Sequence, residues 1–451
     1  MNQFLGQKTQ FLISIVFMIT VFFFQGCSIS NWPLPIKNIP HQESLRDIFI
    51  AANGQYFPKS IHNTFKLAKD FERDHPTISL AQQGVRLIEV KQINPNHHLQ
   101  QNESNLSWSA DGTYLSYEVD DQYKKRIILG KISGTPIKEL SIHPPSDKML
   151  KDHFISLNDY PYNAGLSWSY DNTRYAFMSN GGAGQYNIFV GAIDLPEFSI
   201  TGSTSKDGMA RWNPVSNKIA FVSGRTGNGD IYLFDLSKND LNRLTDSDKT
   251  DLFPEWSSDG KTIYFCRGHS TNYQIASLTF LKNKGKFRYL TNNTMTNLRP
   301  KVSPNGRLVS FYGKKNRLSQ LWNIYVLPTS ATNYTDDQTN QALIATDIVI
   351  NLTTGPTWSP DSQKIFYVKR DAQKFNPIFS YDLYTRKSQQ LKTQTVMNSD
   401  LMISSLGVLS FRAQVGVWDR VFIALTNQGN QIQTYRLNST EFTHHNLWEA
   451  L

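Results

Sequence analysis

Two cysteines in 451 residues are too few for a disulfide framework or for a cysteine-based zinc cluster. Nor is there an apolar run long enough to span a bilayer. The uncharged stretch at residues 11–24 has fourteen residues, whereas a spanning helix needs about twenty. Charged residues make up only 18% of the chain, and the formal charge of +9 is dispersed. The pairs Lys124-Lys125 and Lys314-Lys315 are not extended into a basic tract, so no nucleic-acid footprint is present and no nucleic-acid partner is expected. Catalytic signatures are missing as well. No Gly-x-Ser-x-Gly elbow, no His-Glu-x-x-His helix and no Cys-x-x-Cys pair occurs. His97-His98 and His444-His445 are adjacent pairs, and successive residues of a strand point to opposite faces, so they read as exposed histidines and no metal is expected. What the chain does have is 39% hydrophobic and 12% aromatic residues, enough for a large core.

Residues 1–10 carry Lys8 and no acid, residues 11–24 read FLISIVFMITVFFF, and Gln25-Gly26-Cys27 follows. That order describes an export signal over residues 1–26. Gly26-Cys27 resembles the bacterial lipoprotein signal, in which the chain is cut before a cysteine that carries the lipids. Phe24 and Gln25 depart from the family's preference for a Leu-like residue and then a small one. Lipidation of Cys27 is the preferred reading, with a plain cleaved signal or an uncleaved anchor as alternatives. Two or three acyl chains, at about 0.8 kcal/mol per buried methylene, are enough for stable anchoring. Residues 27–84 read as a lipid-proximal tether with short helices. Cys266, in Ile263-Tyr264-Phe265-Cys266, reads as a small buried hydrophobe.

A self-similar unit then recurs. Its copies begin LSWSADGTYLSYEV at Leu106, LSWSYDNTRYAFMS at Leu166, ARWNPVSNKIAFVS at Ala210, PEWSSDGKTIYFCR at Pro254, PKVSPNGRLVSFYG at Pro300 and PTWSPDSQKIFYVK at Pro356. The anchors Trp108, Trp168, Trp212, Trp256, Val302 and Trp358 are 44 to 60 residues apart, close to the period of a four-stranded propeller blade. In each copy a short strand ends at the anchor and a tight turn follows. An alternating apolar strand comes next, then an Ile-Tyr type strand and a short fourth strand often ending in Leu-Thr, as at Leu244-Thr245, Leu290-Thr291 and Leu352-Thr353.

These residues resemble the TolB-type propeller repeat, whose hallmark is a Trp-Ser-Pro-Asp-Gly turn; Trp358-Ser359-Pro360-Asp361 is the nearest match. The fold expected is therefore all-β, a β-propeller of four-stranded blades over residues 85–451. Six units are plain, and a seventh begins near Leu401 without the Trp and the turn. Seven blades are preferred; six, the number the resemblance implies, is the alternative. An upstream strand at residues 85–93 is available to pair with the last blade and close the ring. Recurrence of the Trp at one place per unit points to packing between blades rather than to ligand stacking.

Segments leading into the inner strands reach one mouth of a central channel. There Lys206, Arg211, Glu255, Arg299 and Lys301 are candidate binding residues, in a mixed rim to which Asp207 and Asp251 also belong. Trp418, placed in a loop at residues 413–419, is a candidate exposed contact. Residues 224–230, GRTGNGD, read as a hairpin loop, since a phosphate cradle needs a following helix. The repeats supply no catalytic residue and no cofactor is called for. The signal and the propeller resemblance together imply a non-enzymatic lipoprotein in the periplasm, anchored through Cys27 to a membrane whose identity stays open, and serving as a binding platform for an envelope protein. The alternative is a propeller enzyme or carbohydrate-binding protein acting on envelope polysaccharide.

Overall fold

The computed structural model describes residues 87–92, 102–120, 125–131, 136–140 and 162–426, the last without 182–184, 203, 282–283, 315–320, 352, 392, 394 and 416. Cys27, the signal, the tether and the four paired histidines lie outside the described residues. Within them the chain is almost all strand, with one six-residue helix, Asp336–Gln341, in the insertion before Leu343–Val349.

Five four-stranded sheets and one eight-stranded sheet hold these strands, nearly all in sequential antiparallel order. Asn102–Trp108, Tyr114–Asp120, Lys125–Lys131 and Pro136–Leu140 form one of them. The next three start at Asn163–Trp168, Asp207–Trp212 and Thr250–Trp256. The eight-stranded sheet holds two inner strands, Thr296–Val302 and the short Thr357–Trp358. The remaining sheet takes Val396–Ile403, Val408–Val415 and Trp418–Thr426 from the end of the described chain and Leu87–Gln92 from its start. Val90 pairs with Ala424 and Gln92 with Phe422, so the two ends of the ring are hydrogen-bonded in one sheet. Residues 431–437, whose pattern reads from the sequence as a further strand of this unit, lie outside the described residues.

Why these sequences stack is visible in the second and third strands of each sheet. Second strands such as Arg174–Ser179 and Lys218–Ser223 are buried at nearly every position, because neighbouring sheets cover both faces. In four of the six anchored units the aromatic residue nine positions after the anchor meets another directly across the ladder. Phe221 and Tyr232 are register partners with ring centroids 6.0 Å apart, Phe311 and Tyr325 5.6 Å, and Tyr367 and Phe379 5.6 Å. Such pairs add about 0.5–1.5 kcal/mol each beyond their burial.

The anchors join one sheet to the one before it. The indole N–H of Trp168 donates to the Ser107 carbonyl, that of Trp256 to Arg211 and that of Trp358 to Lys301. Each acceptor stands one residue before the preceding unit's anchor. In the turns, the Ser hydroxyl donates to the Asp carboxylate two residues on, at 2.7 Å in Ser109–Asp111 and 2.6 Å in Ser257–Asp259. That carboxylate in turn accepts a main-chain N–H from Thr113 or Lys261. The motif is thus a self-contained Asx turn. Where the unit at Trp212 lacks the Asp, the Asn213 side chain accepts the Val215 N–H instead.

Two expectations are corrected. Thr245 and Thr291 do serve as strand ends, their hydroxyls accepting from the Ile231 and Ile275 N–H groups. Asn351 and Thr353, expected to end a fourth strand in the same way, leave the sheet; the outer strand there is Leu343–Val349. Trp418 is not in a loop but opens the strand Trp418–Thr426, where it pairs with Val415 and is half-buried. A two-residue turn is enough to reverse the chain at this point, so the ladder runs further than the composition suggests.

Cys266 is fully buried, and burial pushes its thiol up to about 12. Since only thiolate reacts, the Cys266 peptide is expected to stay unmodified by iodoacetamide at pH 8 in the folded chain. It should alkylate completely in 6 M guanidinium, as read by peptide mass.

Candidate functional site

Six of the seven inner strands break register three residues before the anchor or the equivalent position, and the residue there, like Gly355 just ahead of Thr357–Trp358, takes a left-handed backbone. These residues are Asn105, Gly165, Met209, Phe253, Arg299, Gly355 and Asp400, with φ between +49° and +84°. Five of them are not glycine, and that conformation costs such residues about 1–2 kcal/mol. The bulge bends the strand and re-aims the side chains around it. Nothing in the sequence flags it, since the seven residues share no chemistry.

The bulges gather part of the expected binding set. Arg211, Glu255 and Lys301 each stand one residue before an anchor, on three successive inner strands. Lys301 Nζ lies 2.5 Å from Glu255 Oε1, and Arg211 Nε lies 3.7 Å from Oε2. Arg299, at a bulge, stacks its guanidinium 3.7 Å above the Phe253 ring. Lys206 is not with them. It is exposed, five residues before Arg211 at the opposite end of the strand, because a strand advances about 3.3 Å per residue. Asp207 and Asp251 are also apart, buried and paired with Arg225 and Arg267 of their own sheets. The expected rim is therefore an inner cluster of four residues, placed nearer the turn end of the channel, and a separate surface lysine.

The electrostatics of the cluster are one-sided. Arg211, Arg299 and Lys301 face one carboxylate, Glu255, among the described residues. Burial lowers the Arg299 pKa well below its ordinary value, and the neighbouring Arg211 cation lowers it further. Burial lowers Arg211 too, with Glu255 opposing.

A second feature lies on the face where the inner strands begin. Phe375, Val396, Met397, Val415 and Val417 are exposed there, Phe375 by 50% and Val417 by 75%. They belong together. Met397 N–H donates to the Lys374 carbonyl, the Asn398 amide donates to the carbonyl of Asn376, and Val396 pairs with Gln414 beside Val415. The loop at residues 370–377 adds exposed Arg370 and Lys374 against one acid, Asp371. Trp418 pairs with Val415 at the edge of this patch and is half-buried. Sequence reasoning missed the patch because its residues come from three segments and carry no motif. Among the described residues no three His, Cys, Asp or Glu side chains gather as metal ligands.

Residues 155–333 match the family model of the TolB beta propeller domain. That segment of the chain is similar to a TolB-type β-propeller. Curated relatives of this TolB-like chain include dipeptidyl peptidase 4 of Arthroderma otae, 24% identical over 257 residues. That match takes in 51% of this chain but only 30% of the relative, so the chain spans about a third of the length of such relatives. Among solved structures, oligogalacturonate lyase from Vibrio parahaemolyticus is similar with a TM-score of 0.52 and 11% identity, covering 76% of this chain and 97% of the lyase. The β-propeller domain of the trilobed protease from Pyrococcus furiosus is similar with a TM-score of 0.50 and 13% identity, covering 72% and 95%. At these identities the solved structures establish the fold alone. The relatives nevertheless overturn the expectation of a non-enzymatic protein, since peptidases and a lyase are built on the same ring. Missing motifs were a poor guide because residues converging in a channel come from strands far apart in sequence and form no local pattern.

Proposed function

We propose that this TolB-like propeller is a lipoprotein of the bacterial periplasm, anchored through Cys27, that docks an envelope protein on its apolar patch. The observation that carries the reading is the cluster of Phe375, Val396, Met397, Val415 and Val417 on one face, with an apolar centre and a basic rim. A protein interface has that anatomy. Arg370 and Lys374 beside the patch, on a chain of net charge +9, favour a partner segment whose apolar side chains are flanked by Asp or Glu. The match with dipeptidyl peptidase relatives supports a polypeptide rather than a sugar as what the propeller meets. The same reading takes the eight-stranded sheet as two blades, giving seven in the ring.

Photo-crosslinking from a benzoylphenylalanine at position 417 or 375 of the full chain, in a lipoprotein-processing bacterium, tests this. One envelope protein is expected at both positions, joined through an acid-flanked apolar peptide, and lost when Val417→Asp is added to the position-375 probe. The same product from position 384, a residue 93% exposed in a hairpin on the other side, or no product from either patch position, overturns the docking. A Cys27→Ala chain processed and located like the wild type overturns the anchor.

A further inference from the structure

The channel cluster carries more positive charge than its own residues neutralise, and what completes it is main chain. Three cations face one carboxylate, and Glu255 is already committed to Lys301 and Arg211. Both guanidiniums also donate to the Thr353 carbonyl. Arg211 donates through one terminal nitrogen and Arg299 through another, the latter at 3.0 Å. Arg299 Nε is buried with no hydrogen-bond partner among the described residues. A carbonyl oxygen bears only a partial charge, so two buried guanidiniums sharing it remain under-neutralised.

Thr353 reaches that place through a small turn. The Asn351 side-chain oxygen accepts the N–H groups of Thr353 at 2.9 Å and Thr354 at 3.2 Å, and the Gly355 N–H donates to the Asn351 carbonyl. The Asn351 N–H is itself held by the Tyr312 hydroxyl. Gly355 has φ of +84°, and a Cβ there would sit 2.9 Å from the Arg299 carbonyl oxygen, so only glycine lets the turn lie this close. The Thr353 hydroxyl donates to the Asn105 side chain. Thr353 therefore touches three inner strands, Asn102–Trp108, Asp207–Trp212 and Thr296–Val302, that are not neighbours around the ring. A point near the channel axis satisfies all three.

We propose that the channel is a binding site for a ligand carboxylate, and that the Thr353 turn is its resident plug, the Thr353 carbonyl standing where a carboxylate oxygen of the ligand sits. A carboxylate replaces the carbonyl in kind, with planar oxygens in reach of two forked donors, and adds the full negative charge the cluster lacks. The plug lowers apparent affinity by the fraction of molecules in which it is open. The site is separate from the docking patch, so either proposal can fail alone.

The test is calorimetric, on the full chain, with four probes: an alanine pentapeptide with a free C-terminus, its C-terminal amide, glucuronate and inorganic phosphate. Asn351→Ala, which removes the acceptor that forms the turn, is expected to bind a carboxylate probe at least about tenfold more tightly than the wild type. Adding Arg211→Gln should abolish that binding. The pair Asn105→Cys with Thr353→Cys, whose parent side chains touch, locks the plug; oxidation should abolish binding and reduction restore it. A response to the free peptide but not its amide identifies a peptide terminus as the carboxylate source, and a response to glucuronate a uronic acid. Equal binding by Asn351→Ala and wild type, binding that survives the oxidised lock, or inorganic phosphate bound in preference to every carboxylate overturns the proposal.

Discussion

Glu118→Ala is expected to lower folding stability by about 3–5 kcal/mol, read from urea unfolding at pH 7. Glu118 is almost wholly buried, and both oxygens of its carboxylate are hydrogen-bonded. Its Oε2 accepts from Lys125 at 2.7 Å and from the Asn105 amide at 2.6 Å, while Oε1 accepts the Gly165 N–H of the next sheet at 2.7 Å. Removing it leaves the buried Lys125 ammonium and two donors unpaired, and severs a link between two sheets. Glu118→Gln should recover little, because a neutral amide cannot balance the Lys125 charge and, whichever way it is turned, its NH2 faces either the Gly165 N–H or the Lys125 and Asn105 donors. The double change Glu118→Ala with Lys125→Met should recover much of the loss, since no uncompensated charge then remains.

The pH dependence follows from Lys125. Burial alone pushes its pKa down, but Glu118 foremost among the opposing charges carries it above the ordinary 10.5. A folded-state pKa above the unfolded value means stability that is fully present below about pH 10.5 and declines above it. In Glu118→Ala the main opposing charge is gone and burial works against the ammonium. The deficit of that variant should therefore narrow between pH 7 and pH 10, as the lysine sheds its proton. A deficit that stays constant over this range would mean that Lys125 is rehydrated in the variant.

Trp256→Ala is expected to cost a similar amount, about 3–5 kcal/mol, with a fall in thermal midpoint and no new stable intermediate. Trp256 is buried among Ala220 and Ile231 of the preceding sheet and Ile263, Phe265 and Leu278 of its own. Its ring centroid lies 5.8 Å from that of Phe280, and its indole N–H holds the Arg211 carbonyl at 3.1 Å. The substitution opens a cavity where two sheets meet and frees the strand that carries a channel arginine. Trp256→Phe should cost less, because much of the contact surface remains and a carbonyl at the channel wall can find water.

The repeats made the ring legible because the same local chemistry recurs in every unit. A Ser-x-Asp turn, an alternating strand and an aromatic nine residues after the anchor each act within about fifteen residues of chain, as at Ser359, Asp361 and Tyr367. The role of the tryptophans was legible for the same reason, since a residue repeated at one place serves a contact repeated at one place. The candidate residues were only half legible. Arg211, Glu255, Arg299 and Lys301 were identifiable as lining a channel, whereas their separation from Lys206 depended on how far along each strand they sit.

By itself, the sequence determined an all-β ring of repeated units, the identity of its turns and anchors, and a short signal-like start ahead of Cys27. The upstream strand, expected from the sequence to pair with the last blade, does so as Leu87–Gln92 against Trp418–Thr426. Only the tertiary structure decided that Thr353 turns into the channel, and that Phe375 joins Val396 and Val417 in one exposed patch. The physical reason is range. Local turns and strand alternation are set by neighbours in the chain, and their periodicity survives in the sequence. Thr353 meets Asn105 across 248 residues and Arg211 across 142. Such contacts exist only because a closed ring brings distant strands to one axis, and they leave no period to read.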